Sequence, residues 1–153
     1  MSLDVIVRSS NENDSQKCYE LLLLIADLHR TARPDVFEGL VSKYTLDEVK
    51  ERLSKNDNGV FIAESEGSVV GYIFSDIIKE GSGQTLYIDD LCVDPSARHK
   101  GVATALMNYA SAYGKEKNCR MLMLNVWEFN DSAIAFYENF GFQTRSRHLE
   151  KEL

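Results

Sequence analysis

The sequence predicts an α/β fold built on a mixed, mostly antiparallel sheet. Three observations carry this. Short apolar runs rich in strand formers alternate with segments whose apolar residues recur at helical spacing. Two turns, Glu66-Gly67 and Gly81-Ser82-Gly83, each separate consecutive strands and make them antiparallel neighbours. Later a strand, a helix and a strand follow one another over residues 86–126. A crossover of that kind implies a parallel pair.

The elements follow in order. Residues 3–7 alternate enough to open with a strand. Ser9, Ser10, Asn11 and Asp14 are cap-type residues. From Asp14 a helix carries Cys18, Leu21, Leu22, Ile25 and Leu28 on one face. It ends near Thr31, because Pro34 disfavours helix at Arg33. Residues 33–39 read as a loop anchored by Phe37, and the segment from His29 to Glu38 is expected to close over the site. Thr45-Leu-Asp-Glu48 is a capping-box signature for a second helix to about Leu53. Residues 60–63, 69–78 and 86–93 read as strands, the last ended by Pro95. Gly101 opens a helix with Val102, Ala105, Leu106, Tyr109, Ala110 and Tyr113 on one face, stopped at Asn118. Residues 121–126 form another strand, and 131–140 a short helix with Gly141 as its C-cap. Residues 142–149 read as a final, exposed edge strand.

Composition bounds the class. A chain of 153 residues suits one domain spanning 1–153, since roughly 100–200 residues is the usual size. With 44% hydrophobic and 27% charged residues it reads as an ordinary globular protein. No apolar run approaches the roughly 18 residues of a membrane span, and no secretory leader pattern opens the chain. Cys18, Cys92 and Cys119 are odd in number and scattered, so neither a disulfide framework nor a metal spacing is expected. A cytoplasmic location is the simplest expectation. The net charge of −7 argues against a nucleic-acid partner and is compatible with a cationic substrate.

The chemistry centres on residues 85–112. A strand feeding a helix through a short loop makes an anion site, because the first-turn amides lack internal partners and the dipole end is positive. Gly101 leaves the backbone open to a ligand, and Arg98, His99 and Lys100 add donors. The dinucleotide fingerprint and the phosphate-binding P-loop are both absent. What stands here is Arg98-His-Lys-Gly101-Val-Ala103. This resembles the R/Q-x-x-G-x-G/A pyrophosphate loop of the GNAT acetyltransferases. The resemblance extends to residues 88–95 before the loop and to residues 130–142 after it. The string from Leu86 to Val93 is locally similar to polyamine acetyltransferases.

The resemblance implies a GNAT-like sheet with a splayed parallel strand pair and helices on both faces. It implies acetyl-CoA as co-substrate. Backbone groups of Leu91, Cys92 and Val93 would hold its pantetheine arm together with Asn130 and Ala133. The pyrophosphate would lie on residues Arg98, His99, Lys100, Gly101, Val102, Ala103 and Thr104. A strand bulge near Asp90 would open the cleft. Tyr137 aligns with the tyrosine that protonates the departing thiolate; a tyrosine's ordinary pKa of about 10 suits that donor.

Asp89 and Asp90 interrupt an apolar strand, which is costly unless they are solvated or paired, and a cleft at mid-strand explains them. The resemblance puts the proton acceptor at Asp89 and leaves Asp90 to bind the substrate cation, while the base itself stays open between Asp89, Asp90 and a water chain. Strand alternation alone sets the two on opposite faces. Trp127 follows the second strand of the pair and is expected to wall the acceptor site. Cys92 reads as a buried small hydrophobe rather than a nucleophile. The expected activity is direct transfer of an acetyl group to a primary amine, on a small cationic acceptor. The alternatives are a protein N-terminal or lysine acetyltransferase, and a non-catalytic acyl-CoA-binding module. A homodimer paired through the C-terminal half is expected as well.

Overall fold

A computed structural model describes residues 4–153. Its sheet has five strands in the order β1-β2-β3-β4-β5: Ile6–Ser9, Val60–Ser65, Ser68–Glu80, Gly83–Val93 and Cys119–Leu124. The first four pair antiparallel in succession, and β4 and β5 pair in parallel. The expected sheet is therefore present, with its opening strand starting three residues later and ending two residues later. Leu3, which the sequence placed in that strand, lies outside the described residues.

Helices cover both faces. On one side α1 (Ser15–Ala32) buries Cys18, Leu21 and Leu22, and α3 (Leu46–Leu53) buries Val49 and Leu53. They pack on Val60, Ile62, Tyr72, Phe74 and Cys92 from the sheet. On the other side α4 (Val102–Glu116) sets Val102, Leu106, Met107 and Ala110 against Phe61, Ala63, Ile73, Leu86 and Ile88. The short α5 (Asp131–Phe140) adds Phe136, Tyr137 and Phe140 to this second core. The capping box at Thr45 forms as its sequence predicts: Thr45 Oγ1 accepts from the Glu48 amide and Glu48 Oε1 from the Thr45 amide, both at 3.1 Å. Gly71 lets α4 sit close on β3, since a Cβ there would stand 3.2 Å from Leu106 Cδ1 and 3.3 Å from Val102 Cγ1.

Two sequence expectations give way. Residues 33–39 are not simply a loop: Pro34–Phe37 forms one helical turn, α2, with Pro34 in its first turn. The proline that ends α1 is preorganised for the first position of the next helix. Residues 142–149 form no strand, and β5 keeps a free edge. The tail is held instead by side chains, with Arg145 bonding the Glu80 carboxylate at 2.8 Å and Glu150 bonding Arg33 at 2.7 Å. Its continuous polar run from Gln143 to His148 gains no buried face by pairing.

Candidate active site

The site begins with a break in register. On β4, Asp90 pairs with Phe74 of β3, but Ile88 pairs with Ser75, so Asp89 has no partner. One extra residue in a strand reverses the phase of every side chain after it. Leu86 and Ile88 therefore face α4, whereas Cys92, two residues beyond Asp90, faces α1. Both acids end on the α1 side, and the opposite-face expectation from simple alternation fails for that reason. The bulge falls at Asp89, beside the expected position.

The same region is where the parallel pair parts. Pairing of β4 with β5 ends at Ile88 and Leu124, so residues 89–93 have no neighbour on that side. Asn125 marks the fork, donating from Nδ2 to the Tyr87 hydroxyl at 3.0 Å. A stretch of β4 backbone five residues long is thus open to an extended ligand, while its other edge stays held by β3.

The two carboxylates live differently. Asp89 is bonded twice from the segment that follows α2. Lys43 Nζ donates to its Oδ1 at 2.9 Å, and the Tyr44 hydroxyl donates to its Oδ2 at 2.5 Å. Asp90 receives one bond, from the Tyr72 hydroxyl at 3.2 Å. Burial pushes the Asp90 carboxyl up to about 6, against the opposing pull of the Lys43 charge and the Tyr72 hydroxyl. Tyr137 stands within reach of that charge. Burial first, and then the Asp90 carboxylate, push its phenol up to about 12. Its ring is held by Phe136 and Phe142 at 5.6 and 5.7 Å between centroids.

Beyond β4, Asp94 caps a 3-10 turn at Pro95–Ala97. The chain then takes left-handed backbone twice, at His99 with φ 60° and at Gly101 with φ 83°. Turns of this kind aim successive amides into one concavity, a nest for anions. A Cβ on Gly101 would meet no atom of the protein within 4 Å, so the space over it is open. Arg98 and Lys100 flank the loop, bonding the Val93 and Ser96 carbonyls at 3.4 and 3.2 Å. Asn130 caps α5, its side chain accepting from the Ala133 amide at 3.4 Å.

An aromatic cluster roofs the cleft. Phe37 of α2 stacks on His29 at 4.9 Å and meets Trp127 edge-on at 5.1 Å; Trp127 stacks on Phe129 at 5.8 Å. Arg33 lies over the Trp127 ring at 5.7 Å. The segment from His29 to Phe37 therefore meets the residues that follow β5.

The sequence profile of the Acetyltransferase (GNAT) family matches residues 22–142. The chain belongs to this family. Among GNAT relatives it is 32% identical over 96 residues to an uncharacterized N-acetyltransferase, MJ1207, of Methanocaldococcus jannaschii, covering 61% of this chain and 42% of that protein. It is 32% identical over 82 residues to the thialysine N-epsilon-acetyltransferase of Mus musculus, covering 52% of this chain and 48% of the mouse protein. The chain thus spans about half the length of these relatives. A mutant of the BH1408 protein from Bacillus halodurans shares the fold, with a TM-score of 0.84 at 22% identity over 97% of this chain and 99% of that one.

Within the GNAT frame, Asp90 lies beside the open stretch of Leu91, Cys92 and Val93, Tyr137 packs in the second core where the Asp90 charge reaches it, and Asp89 is turned towards Lys43 and Tyr44. Cys92 is buried and its thiol is pushed up to about 12, an inert state. Sequence reasoning missed Lys43, Tyr44 and Tyr72. Tyr72 sits in an apolar strand and reads as core. Lys43 and Tyr44 sit about 46 residues from Asp89 with no motif around them. The one local signal was the Asp89-Asp90 pair itself, which asks for partners.

Proposed function

We propose that the protein transfers the acetyl group of acetyl-CoA to a primary amine on a small cationic acceptor, by direct attack in a ternary complex. The observation that carries this reading is the break in β4, where the bulge at Asp89 and the end of β4–β5 pairing leave residues 89–93 open beside Asp90. The residues fit the co-substrate. The left-handed turns at His99 and Gly101 suit a pyrophosphate, with amides through Thr104 at the start of α4. The open backbone of residues 91–93 suits an amide-bearing arm, with Asn130 and Ala133 across the fork. Bound there, the co-substrate supplies an activated acyl carbon.

The chain's own groups supply the proton traffic. Asp90, with its carboxyl raised to about 6, is ionised at neutral pH yet basic enough to take a proton from an ammonium. This moves the proton-accepting role from Asp89 to Asp90, because Asp89 is already occupied by Lys43 and Tyr44. Tyr137 gives its proton to the departing thiolate. The two are coupled: part of Tyr137's reluctance comes from the Asp90 charge. Once Asp90 takes the amine's proton that charge is gone, and Tyr137 becomes more acidic as the thiolate forms.

The acceptor class rests on charge and closure. Two aspartates line the cleft, and the net charge is −7. The roof of His29, Phe37, Trp127 and Phe129 supports a small molecule over a protein tail. Thialysine, named for the mouse relative, is a small cationic amine of this kind. We also propose a cytoplasmic homodimer. The free edge of β5 and the unpaired tail support pairing with a second copy; light scattering at a monomer mass of 17.3 kDa would count against it.

The deciding experiment is a screen of amines with thiol-release detection. Small polyamines and diamino acids should release thiol, and lysine-bearing peptides should not. Binding of CoA without thiol release from any amine would leave a non-catalytic module in its place.

A further inference from the structure

The acceptor cleft already contains an amine. Lys43 Nζ donates to the Asp89 carboxylate and to the Asp89 backbone carbonyl, both at 2.9 Å. Its charge is also the largest influence on Asp90 after burial. A single ammonium therefore addresses both acids of the bulge. Tyr44 braces it, with the ring 5.8 Å from Nζ and the hydroxyl on the same carboxylate. The Lys43 side chain is 44% exposed, so its stem has room to swing without unpacking the core. Other paired lysines stand apart: Lys17 bonds Asp94 and Lys117 bonds Asp57, carboxylates that play no part in the cleft.

We propose that Lys43 is an internal acceptor, acetylated on its own Nζ by the acetyl thioester of coenzyme A. This rests on the acetyl transfer proposed above. The position argues for it: an ammonium beside Asp89 and Asp90 stands where the amine of a cationic acceptor would stand. The balance is that of ordinary amide formation. The ammonium passes one proton to Asp90, and the freed lone pair forms the N–C bond as the C–S bond breaks. The thiolate takes its proton from Tyr137, and the second proton shed by the nitrogen restores the phenol. Asp90 then releases its proton to water. The products are Nζ-acetyl-lysine, free CoA and one proton. Acetylation removes the charge of Lys43, dissolves its ion pair and frees Asp89 for an external cation.

The test uses the whole chain, acetyl-CoA and no added amine, read by intact mass and peptide mapping. The mass of one acetyl group should be gained per chain, at a rate independent of protein concentration. It should map to Lys43, with loss of tryptic cleavage after that residue, and leave Lys17 and Lys117 unmodified. Lys43→Arg should show no gain, and Tyr137→Phe should slow it at least tenfold while keeping its circular dichroism. An unchanged mass would overturn the proposal. So would acetyl spread evenly over Lys17, Lys43 and Lys117, a rate that rises with protein concentration, or an undiminished rate in Tyr137→Phe. If amines release thiol in the screen while Lys43 gains nothing, this inference fails and the acetyltransferase reading stands. If neither occurs, both fail.

Discussion

Replacing Tyr137 with phenylalanine separates chemistry from packing. The ring contacts to Phe136 and Phe142, at 5.6 and 5.7 Å, survive the change. The tyrosine hydroxyl bonds no other side chain among the described residues, so its loss leaves no partner stranded, and folding stability should hold or rise slightly. A positioned general acid contributes roughly 10²–10⁴ in rate. At about 1.36 kcal/mol per tenfold, that is about 3–5 kcal/mol of barrier. Steady-state kinetics with the best amine should show the loss in kcat and kcat/KM alike, the mark of an interaction made in the transition state. Calorimetry should show unchanged CoA affinity. The pH profile sharpens the test. An ordinary tyrosine would lose its proton near pH ~10, but this one is pushed up to about 12. It therefore stays protonated across the working range, and the high-pH limb should not report it. The low-pH limb, near 6 from Asp90, should persist in the variant. Full turnover in Tyr137→Phe with the best amine would refute the role.

Further expectations follow from the same geometry. Asp90→Asn should abolish the low-pH limb and cut turnover, yet raise the melting temperature at neutral pH. The folded state raises this carboxyl from 3.8 to about 6, so ionising it costs stability as pH rises through that window and fully above it; a wild type more stable than the variant at pH ~7.5 would contradict this. Tyr72→Phe removes a bond that holds the Asp90 carboxyl down. The acid limb should shift to higher pH, and an unmoved limb would exclude Tyr72 as a positioning residue. Gly101→Ala meets no protein atom but forces an L-residue to φ 83°. It should cost about 1–2 kcal/mol of stability and weaken CoA binding more than tenfold in calorimetry; wild-type affinity would sink the pyrophosphate assignment.

The elements were legible because their signals are local. Thr45 and Glu48 announce their helix, and the two turns after Ser65 and Glu80 set the antiparallel strands. The turn from Arg98 to Gly101 was legible because a glycine stands at the helix start, where left-handed backbone is needed. What escaped the sequence depends on where distant backbone goes. The phase reversal at Asp89 is set by pairing with β3, not by any propensity of its own residues. Lys43 and Tyr44 reach the site only because of the path taken after α2. The tail was misread because a polar, exposed stretch was taken for an edge strand, whereas only a buried face makes one hold.

The extra residue in β4 ties Asp89 and Asp90 to the architecture of two cores. Drawing Asp89 into regular pairing with β3, so that no residue bulges, would do more than close the bulge. It would turn Asp90 towards α4 and thrust the Cys92 side chain out of its place against Leu21 and Leu22. Neither core has a vacancy for what it would receive. The placement of Asp90 is thus insured by the fold, since a shift that moved it would also unpack the protein. The roof carries no such insurance: Lys43, Phe37 and Trp127 hang from segments outside the sheet. Substrate preference is free to drift there while the machinery beneath stays fixed, so a change of acceptor is best sought between residues 29 and 45 and between 126 and 130.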